Sequence, residues 1–136
     1  MKKTITILAA FGMLAATNAI AAEKLEGVWS ANNGASRIQI SPCGSKLCSD
    51  IIWLKEPRKD AKNEDKSLRG RDIVGLRISN NMERVSDNKW KGSVYSPEKG
   101  KTYSGFATVD GNKLSMRGCL TSAGVLCQTR KFTRAN

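Results

Sequence analysis

The chain has 136 residues, of which 23 are basic and 12 are acidic, and it contains no histidine. The missing histidine removes the commonest general base and the usual partner of a serine or cysteine nucleophile, which disfavours an enzyme. The net charge of +11 favours anionic partners through long-range attraction. Nucleic acid is disfavoured because no aromatic platform alternates with the basic residues, and because the N-terminus predicts export.

The first 21 residues have the three parts of a secretory signal peptide. Two lysines precede an apolar run from Ile5 to Ala16. The small residues Ala19 and Ala21, two positions apart, then predict a cleavage site after Ala21. The run of about 12 residues is shorter than the roughly 20 that a membrane-spanning helix needs, so no stable membrane insertion is expected. We predict that residues 1–21 are removed and that 22–136 form one soluble domain, periplasmic or secreted.

The remaining chain alternates apolar and polar residues in short runs between turn residues, which is typical of antiparallel strands with one buried face. The predicted strands are Leu25–Ser30, Ser36–Ser41, Leu47–Lys55, Ile73–Ser79, Lys89–Tyr95, Thr102–Val109, Lys113–Leu120 and Val125–Arg134. About eight strands with no helix to cover a sheet must close on themselves or split into a sandwich. The predicted fold class is therefore all-β, as a single small antiparallel up-and-down barrel.

The two ends of the chain favour closure of the barrel. Trp29 lies on the first strand and Arg134 on the last, which resembles the lipocalin-like pairing in which an arginine of the final strand covers a tryptophan at the barrel base. A guanidinium over an indole hides apolar surface while keeping donors for backbone carbonyls. Arg130 is an alternative partner for the tryptophan. The predicted interior residues are Trp29, Ile38, Ile40, Ile51, Trp53, Val74, Leu76, Ile78, Trp90, Val94, Leu114, Met116 and Phe132. Such a barrel is either filled by side chains or holds one small ligand.

One long connection, Glu56–Asp72, has a length often found in lids and binding loops. Either it is a solvated flap whose Leu68 tucks over one barrel end, or its cations recruit an anionic partner. Those cations are Arg58, Lys59, Lys62, Lys66, Arg69 and Arg71. A helical turn is predicted at Asn63–Leu68. The carboxylates of Glu56 and Asp60 lie among lysines, which suits solvation better than acid catalysis.

Hydroxyls beside fixed cations recognise anionic or sugar-like groups, and such residues flank the predicted hairpin around Pro97. The candidate ligand-binding residues are Trp53, Arg69, Arg71, Tyr95, Lys101, Tyr103 and Arg117. Alternatively, Tyr95 and Tyr103 pack only as a cross-strand aromatic pair. No residue is predicted to be catalytic.

Four cysteines in a small exported domain predict two disulfides. We favour Cys43 with Cys48 and Cys119 with Cys127, because each pair is close in sequence and the second falls on facing arms of a hairpin. Counting by twos places the second pair on solvated strand faces, outside the barrel. Without histidine and with spacings unlike a zinc knuckle, neither a metal nor a cofactor is expected.

The stretch Cys43–Pro57 joins a two-cysteine turn to a strand that is apolar on both faces, and Ser67–Gly75 and Gly100–Gly105 follow it. In these features the chain resembles the exported bacterial domain of unknown function 2147 over nearly all of residues 22–136. The resemblance implies a small lipocalin-like or calycin-like barrel and brings no established activity. Ser49 stands where that family usually has glycine, and Phe132 where it usually has tryptophan.

Together these features predict a non-enzymatic exported barrel that binds a small ligand or an anionic envelope component. The flap and the tyrosine hairpin are expected near its mouth. One alternative is a protein-interaction or inhibitor module with a periplasmic protein partner. Another is an enzyme that lacks histidine. An open apolar barrel would favour a small ligand, whereas a filled one would favour the outer surface.

Overall fold

The computed structural model describes residues 21–136 together with Ala10 and Gly12, so the predicted signal peptide lies almost wholly outside the described residues. The eight strands are β1 (Gly27–Ala31), β2 (Ser36–Cys43), β3 (Lys46–Leu54), β4 (Arg77–Ser86), β5 (Lys89–Ser96), β6 (Lys101–Asp110), β7 (Lys113–Cys119) and β8 (Cys127–Arg134). Each pairs antiparallel with its sequence neighbours, and β1 pairs with β8 to close the barrel. The prediction of an up-and-down barrel is confirmed.

The barrel has two unlike ends. At one end, the base, lie the segment before β1 and the turns that follow β2, β4 and β6. At the other end, the mouth, lie the connections that follow β1, β3, β5 and β7. The connection after β3, residues 55–76, is the longest of these and contains a 3-10 helix at Lys66–Leu68.

Arg134 closes the base over Trp29, as the sequence predicts. Its guanidinium carbon lies 4.1 Å from the centroid of the fully buried indole. The same guanidinium donates hydrogen bonds to the backbone carbonyls of Glu26 and Lys24, both at 2.9 Å. Arg130, the alternative partner, instead forms an ion pair at the mouth.

A second arginine repeats this arrangement at the base. Arg84 lies 4.5 Å from the ring centroid of Trp90 and donates to the carbonyls of Asp87 and Glu23, both at 2.7 Å. The Glu23 carboxylate in turn accepts from the backbone N–H of Gly111 at 3.1 Å. The segment before β1 is thereby tied to two of the turns at the base.

Trp53 is not an interior residue. It faces Arg37 in the β2–β3 register, but the next residue of β2 faces Ile51, so Ile52 is one extra residue in β3. Such a β-bulge reverses the alternation of side chains beyond it. Trp53 therefore lies on the outer face, 41% exposed and 5.2 Å from the Arg37 guanidinium, while Leu54 takes the buried position.

The fourth strand begins later than predicted, because a turn precedes it. The N–H of Leu76 donates to the carbonyl of Ile73 at 3.0 Å, and Gly75 between them has a φ of 90°, which favours glycine. Val74 is consequently exposed and Leu76 half-buried in this turn, so neither is the interior strand residue that was expected. The second half of β4, which buries Met82, was not predicted as a strand, because polar residues on both of its faces obscure the alternation.

Both predicted disulfides are present, Cys43–Cys48 and Cys119–Cys127. Cys119 and Cys127 face each other in the β7–β8 register. The expectation of a solvated position fails for Cys119, which is fully buried. The bridge ties the two ends of the connection formed by residues 120–126.

Candidate functional site

A cavity of about 700 Å³ lies at the mouth of the barrel. Its apolar wall is formed by Ile38, Ile51, Leu54, Ile73, Ile78, Val94, Met116 and Phe132. Its volume lies within the range of about 300–1,000 Å³ that is typical of small-molecule sites. The interior is therefore closed at the base by side chains and open at the mouth.

The edge of this cavity is charged. Glu98 in the β5–β6 turn pairs with Arg130 of β8 at 2.5 Å, and Arg58 and Lys99 line the same edge. The hydrogen bond from Arg130 contributes most to lowering the pKa of Glu98, and the charges of Arg58 and Lys99 lower it further. One carboxylate thus faces three cations, which we call the rim cations, and their positive excess attracts an anionic group.

Beside the cavity, a buried carboxylate connects the 55–76 loop to β5. Asp60 is fully buried and accepts hydrogen bonds from the Tyr95 hydroxyl at 2.6 Å, Asn63 Nδ2 at 2.8 Å and Arg71 Nε at 2.9 Å. The Arg71 guanidinium carbon also lies 5.6 Å from the centroid of the Tyr95 ring. We call these four residues the Asp60 cluster.

The protonation states of the cluster follow from its hydrogen bonds. Burial alone would raise the pKa of Asp60, but the hydrogen bonds from Asn63, Tyr95 and Arg71 together lower it below its usual value. Burial, followed by the hydrogen bond to Asp60, raises the pKa of Tyr95 to about 12. At neutral pH the carboxylate is therefore ionised and the phenol neutral, so each is in the state that its hydrogen bonds require.

Further contacts hold the 55–76 loop against the β5–β6 turn. The N–H of Glu64 donates to the carbonyl of Gly100 at 3.2 Å, and the Glu64 carboxylate lies 3.5 Å from Lys101 Nζ. Gly100 has a φ of 73°, and a Cβ there would overlap the carbonyl of Lys62. The loop is thus packed onto a position that only glycine fits.

Two expectations for this loop need correction. Leu68 is exposed and does not tuck over the barrel end. Asp60 is not solvated but is among the most buried side chains described. The predicted helical turn is confirmed in part, as the 3-10 helix Lys66–Leu68, whose first turn is capped by Asp65.

Three of the predicted ligand-binding residues, Tyr95, Tyr103 and Arg117, line the cavity. The two tyrosines do not form the alternative cross-strand pair, because the register joins Tyr95 to Thr102 and Tyr103 to Val94. Arg117 belongs to the lining at the edge of the cavity, but its side chain lies on the outer face of β6 and β7, where the guanidinium carbon is 5.2 Å from the Phe106 ring centroid. These three of the seven candidate ligand-binding residues therefore lie at the mouth of the barrel.

The other four predicted residues lie outside the cavity lining. Arg71 belongs to the Asp60 cluster, Arg69 donates to the carbonyl of Asn63 at 2.8 Å, and Lys101 contacts the same loop. Trp53 lies on the outer face. The structure therefore gives Arg69, Arg71 and Lys101 contacts within the protein.

Sequence reasoning missed the pairing of Glu98 with Arg130 and the role of Asp60. The two residues of the ion pair are 32 positions apart, and Asp60 is 35 positions from Tyr95. Only the spacing Asp60-x-x-Asn63 carried a local signal, since such side chains stabilise turns. The backbone of Asn63 indeed donates to the carbonyl of Asp60 at 3.2 Å.

Within residues 21–136, no group of three or more His, Cys, Asp or Glu side chains is arranged to hold a metal ion. A separate search of the same described part found no helix long and apolar enough to cross a membrane.

Comparison with known proteins gives the family and supports the fold. A model described as "Uncharacterized protein conserved in bacteria (DUF2147)" matches residues 27–134. Protein HP1028 from the human pathogen Helicobacter pylori, described as belonging to the lipocalin family, has a similar structure, with a TM-score of 0.74 at 20% identity. The match covers 83% of this chain and 84% of that one. No curated protein matches. The chain therefore belongs to the DUF2147 family and has a lipocalin-like barrel.

Proposed function

We propose that this protein is a non-enzymatic exported binding protein for a small amphiphile. The apolar part of the ligand lies in the cavity, and its anionic group lies at the rim cations. The observation that carries the proposal is one continuous cavity of about 700 Å³ with an apolar wall and a cationic edge.

The two parts of the cavity give complementary contributions to binding. Burial of apolar ligand surface is worth roughly 25 cal/mol per Å², so the wall supplies affinity. Charge-assisted hydrogen bonds to guanidinium groups supply orientation and selectivity for an anion. Because Glu98 already pairs with Arg130, an anionic ligand group competes with an internal carboxylate for the same donor.

The alternative ligand, an anionic polymer on the 55–76 loop, has less support. Lys59 pairs with Asp72, Arg71 pairs with Asp60, and Arg69 donates to a backbone carbonyl. Half of the six loop cations thus have partners within the protein, which lowers the charge they offer to a polymer. The cavity edge keeps its excess of cations.

Two further features support the proposal. The predicted signal peptide and the two disulfides favour an oxidising compartment, periplasmic or extracellular. The sequence contains no histidine, and the buried Asp60 already has three hydrogen-bond donors, which suits a structural role. The first feature supports export, and the second fits a binding protein better than an enzyme.

Displacement of an anionic naphthalene sulfonate dye tests the proposal. Alkyl carboxylates and alkyl alcohols of matched length should both displace the dye, with the carboxylates binding about tenfold tighter because of the rim cations.

Arg130→Gln should remove most of that advantage of the carboxylates, and Glu98→Gln should increase it. Val94→Trp should block the cavity, whereas Trp53→Phe on the outer face should change nothing. Equal binding of acids and alcohols would contradict the rim assignment, and no dye binding would contradict the cavity.

Native mass spectrometry of protein taken from its own periplasm would identify the ligand. A retained lipid-like anion is the expected result. A stoichiometric protein partner, with an empty cavity, would favour the interaction-module alternative instead.

A further inference from the structure

The connection between β7 and β8 carries an exposed aliphatic cluster at the mouth. Leu120, Val125 and Leu126 are 63%, 52% and 73% exposed. Leu120 and Leu126 also belong to the lining of the cavity. Apolar side chains therefore continue from the cavity onto the outer surface at this point of the edge. We call residues 120–126 the apolar tip.

The backbone of the apolar tip is strained where the exposure is greatest. Leu126 has a φ of 55°, and among the described residues it alone has a positive φ without being glycine. A leucine in this conformation is disfavoured by its own side chain, and Leu126 is too exposed to gain much from packing. Strain that side-chain packing does not offset is typical of positions with a functional role, which for an exposed leucine means contact with something outside the folded protein.

The apolar tip is also fixed in place before it meets a partner. The Cys119–Cys127 disulfide bridges its two ends, and backbone hydrogen bonds join Leu120 to Leu126 and Gly124 to Thr121 within it. Gly124 lies against the side chains of the outer face of β6 and β7. A preorganised loop loses little conformational entropy when it docks.

We propose that the apolar tip docks the mouth of the barrel onto the surface of an anionic lipid membrane. The three aliphatic side chains enter the boundary of the acyl chains, and the guanidinium of Arg117, which lies beside Gly124 of the tip, contacts the headgroups. As a corollary that rests on the proposed function, the amphiphile passes between this surface and the cavity beneath the tip. Leu120 and Leu126 are both exposed and part of the cavity lining, so they give such a molecule an apolar path.

Charge and composition favour a membrane over a protein as the partner. Outside the two lysines of the predicted signal peptide, 21 basic residues stand against 12 acidic ones. Basic residues around exposed aliphatic side chains are the combination that binds anionic lipid surfaces. Protein-binding hot spots are instead enriched in Trp, Tyr and Arg, whereas Leu and Val are under-represented in them.

Co-sedimentation with vesicles of phosphatidylglycerol and phosphatidylethanolamine tests this proposal. Wild type should bind them and should bind phosphatidylcholine vesicles much more weakly. Val125→Asp should lower the affinity for the anionic vesicles by about tenfold or more, because it removes an inserted side chain and adds a repelled charge. The matched control is Val85→Asp, which makes the same change at a residue 62% exposed near the base, and should lower the affinity about twofold or less.

Dye binding in solution separates this proposal from the preceding one. Val125 is not in the cavity lining, so Val125→Asp should bind the dye like wild type while losing the vesicles. Leu126→Asn should also weaken vesicle binding without lowering the melting temperature, since asparagine tolerates a positive φ. Failure of wild type to bind vesicles, equal losses in the two valine variants, or salt-sensitive binding that survives Val125→Asp would each overturn docking through the tip. If wild type bound vesicles but did not bind the dye, the proposed function would be contradicted and docking through the tip would not.

Discussion

The base and the mouth use the same pairing, an arginine over an aromatic ring, with opposite results. At the base, Arg134 covers Trp29 and donates to backbone carbonyls, which closes the end of the barrel. At the mouth, Arg71 lies over Tyr95 and donates to the buried carboxylate of Asp60, beside an open cavity.

The difference lies in what the guanidinium donates to. Backbone carbonyls belong to the chain that covers the end, so their hydrogen bonds hold that end shut. A carboxylate on a long loop instead attaches the loop beside the opening and leaves the space below it free. One kind of contact therefore stabilises the fold at one end and positions a loop at the other.

The largest effect is expected when the base itself is opened. Trp29→Ala should lower the free energy of unfolding by about 3–5 kcal/mol, since it leaves a cavity under Arg134. Urea unfolding measures this loss. Trp53→Ala is the control, and because that indole is 41% exposed the loss should stay below about 1 kcal/mol. Equal losses in both variants would contradict the assignment of inner and outer faces.

A smaller and more local effect is expected at the mouth. Asp60→Asn should lower the free energy of unfolding by about 2 kcal/mol, because charge-assisted hydrogen bonds are lost and the partly exposed Arg71 can still turn to water. Hydrogen exchange should quicken in residues 55–76 and stay slow around Trp29. Uniform loss of protection throughout the barrel would show that the two ends are not independent.

Arg134→Ala should have a milder effect than removal of the indole beneath it. The loss of the stacked guanidinium should lower stability by about 1 kcal/mol and the melting temperature by a few degrees. Tryptophan emission should shift to the red as water reaches Trp29. Arg130→Ala should leave this emission unchanged, and a shift there would mean that Arg130 shares the covering role.

The smallest effect concerns pH. The lowered pKa of Asp60 adds stability that is present above about pH 3.9, the unfolded value, and is lost as the pH falls through the lower folded value. The raised pKa of Tyr95 adds stability that is fully present below about pH 10, the unfolded value, and is lost as the pH rises through about 12. The stability difference between wild type and Tyr95→Phe should therefore shrink between about pH 10 and 12 in urea unfolding. A constant difference would contradict the raised pKa.

Sequence patterns predicted the parts of the fold that depend on near neighbours. Alternation and turn residues indicated eight strands, and short spacing indicated both disulfides. The pairing of Trp29 with Arg134 was expected from a resemblance to lipocalin-like barrels, in which an arginine of the last strand covers a tryptophan of the first, and the chemistry of the two side chains supports it. Trp53 was wrongly predicted to be an interior residue, because one extra residue in β3 reverses the alternation of inward and outward side chains. Nothing in the amino-acid composition of β3 marks this bulge.

The candidate site was harder to predict, because its parts come from distant segments. Tyr95 and Tyr103 were chosen as candidates because they flank one hairpin, whereas the burial of Asp60 depends on Tyr95, which follows it by 35 residues. A loop rich in charged residues is predicted to be solvated when the segment that it packs against is not known. The cations chosen from that loop were therefore partly those that hold the loop in place.

The anchoring of residues 55–76 has a consequence for the order of folding. The contacts of Asp60 with Tyr95 and of Glu64 with Gly100 require the hairpin of β5 and β6 to exist already. The loop between β3 and β4 precedes that hairpin in the chain, yet we expect it to become ordered after it, since distant contacts form late. The cavity edge would then be the last part to form, and the first to open when the protein fluctuates.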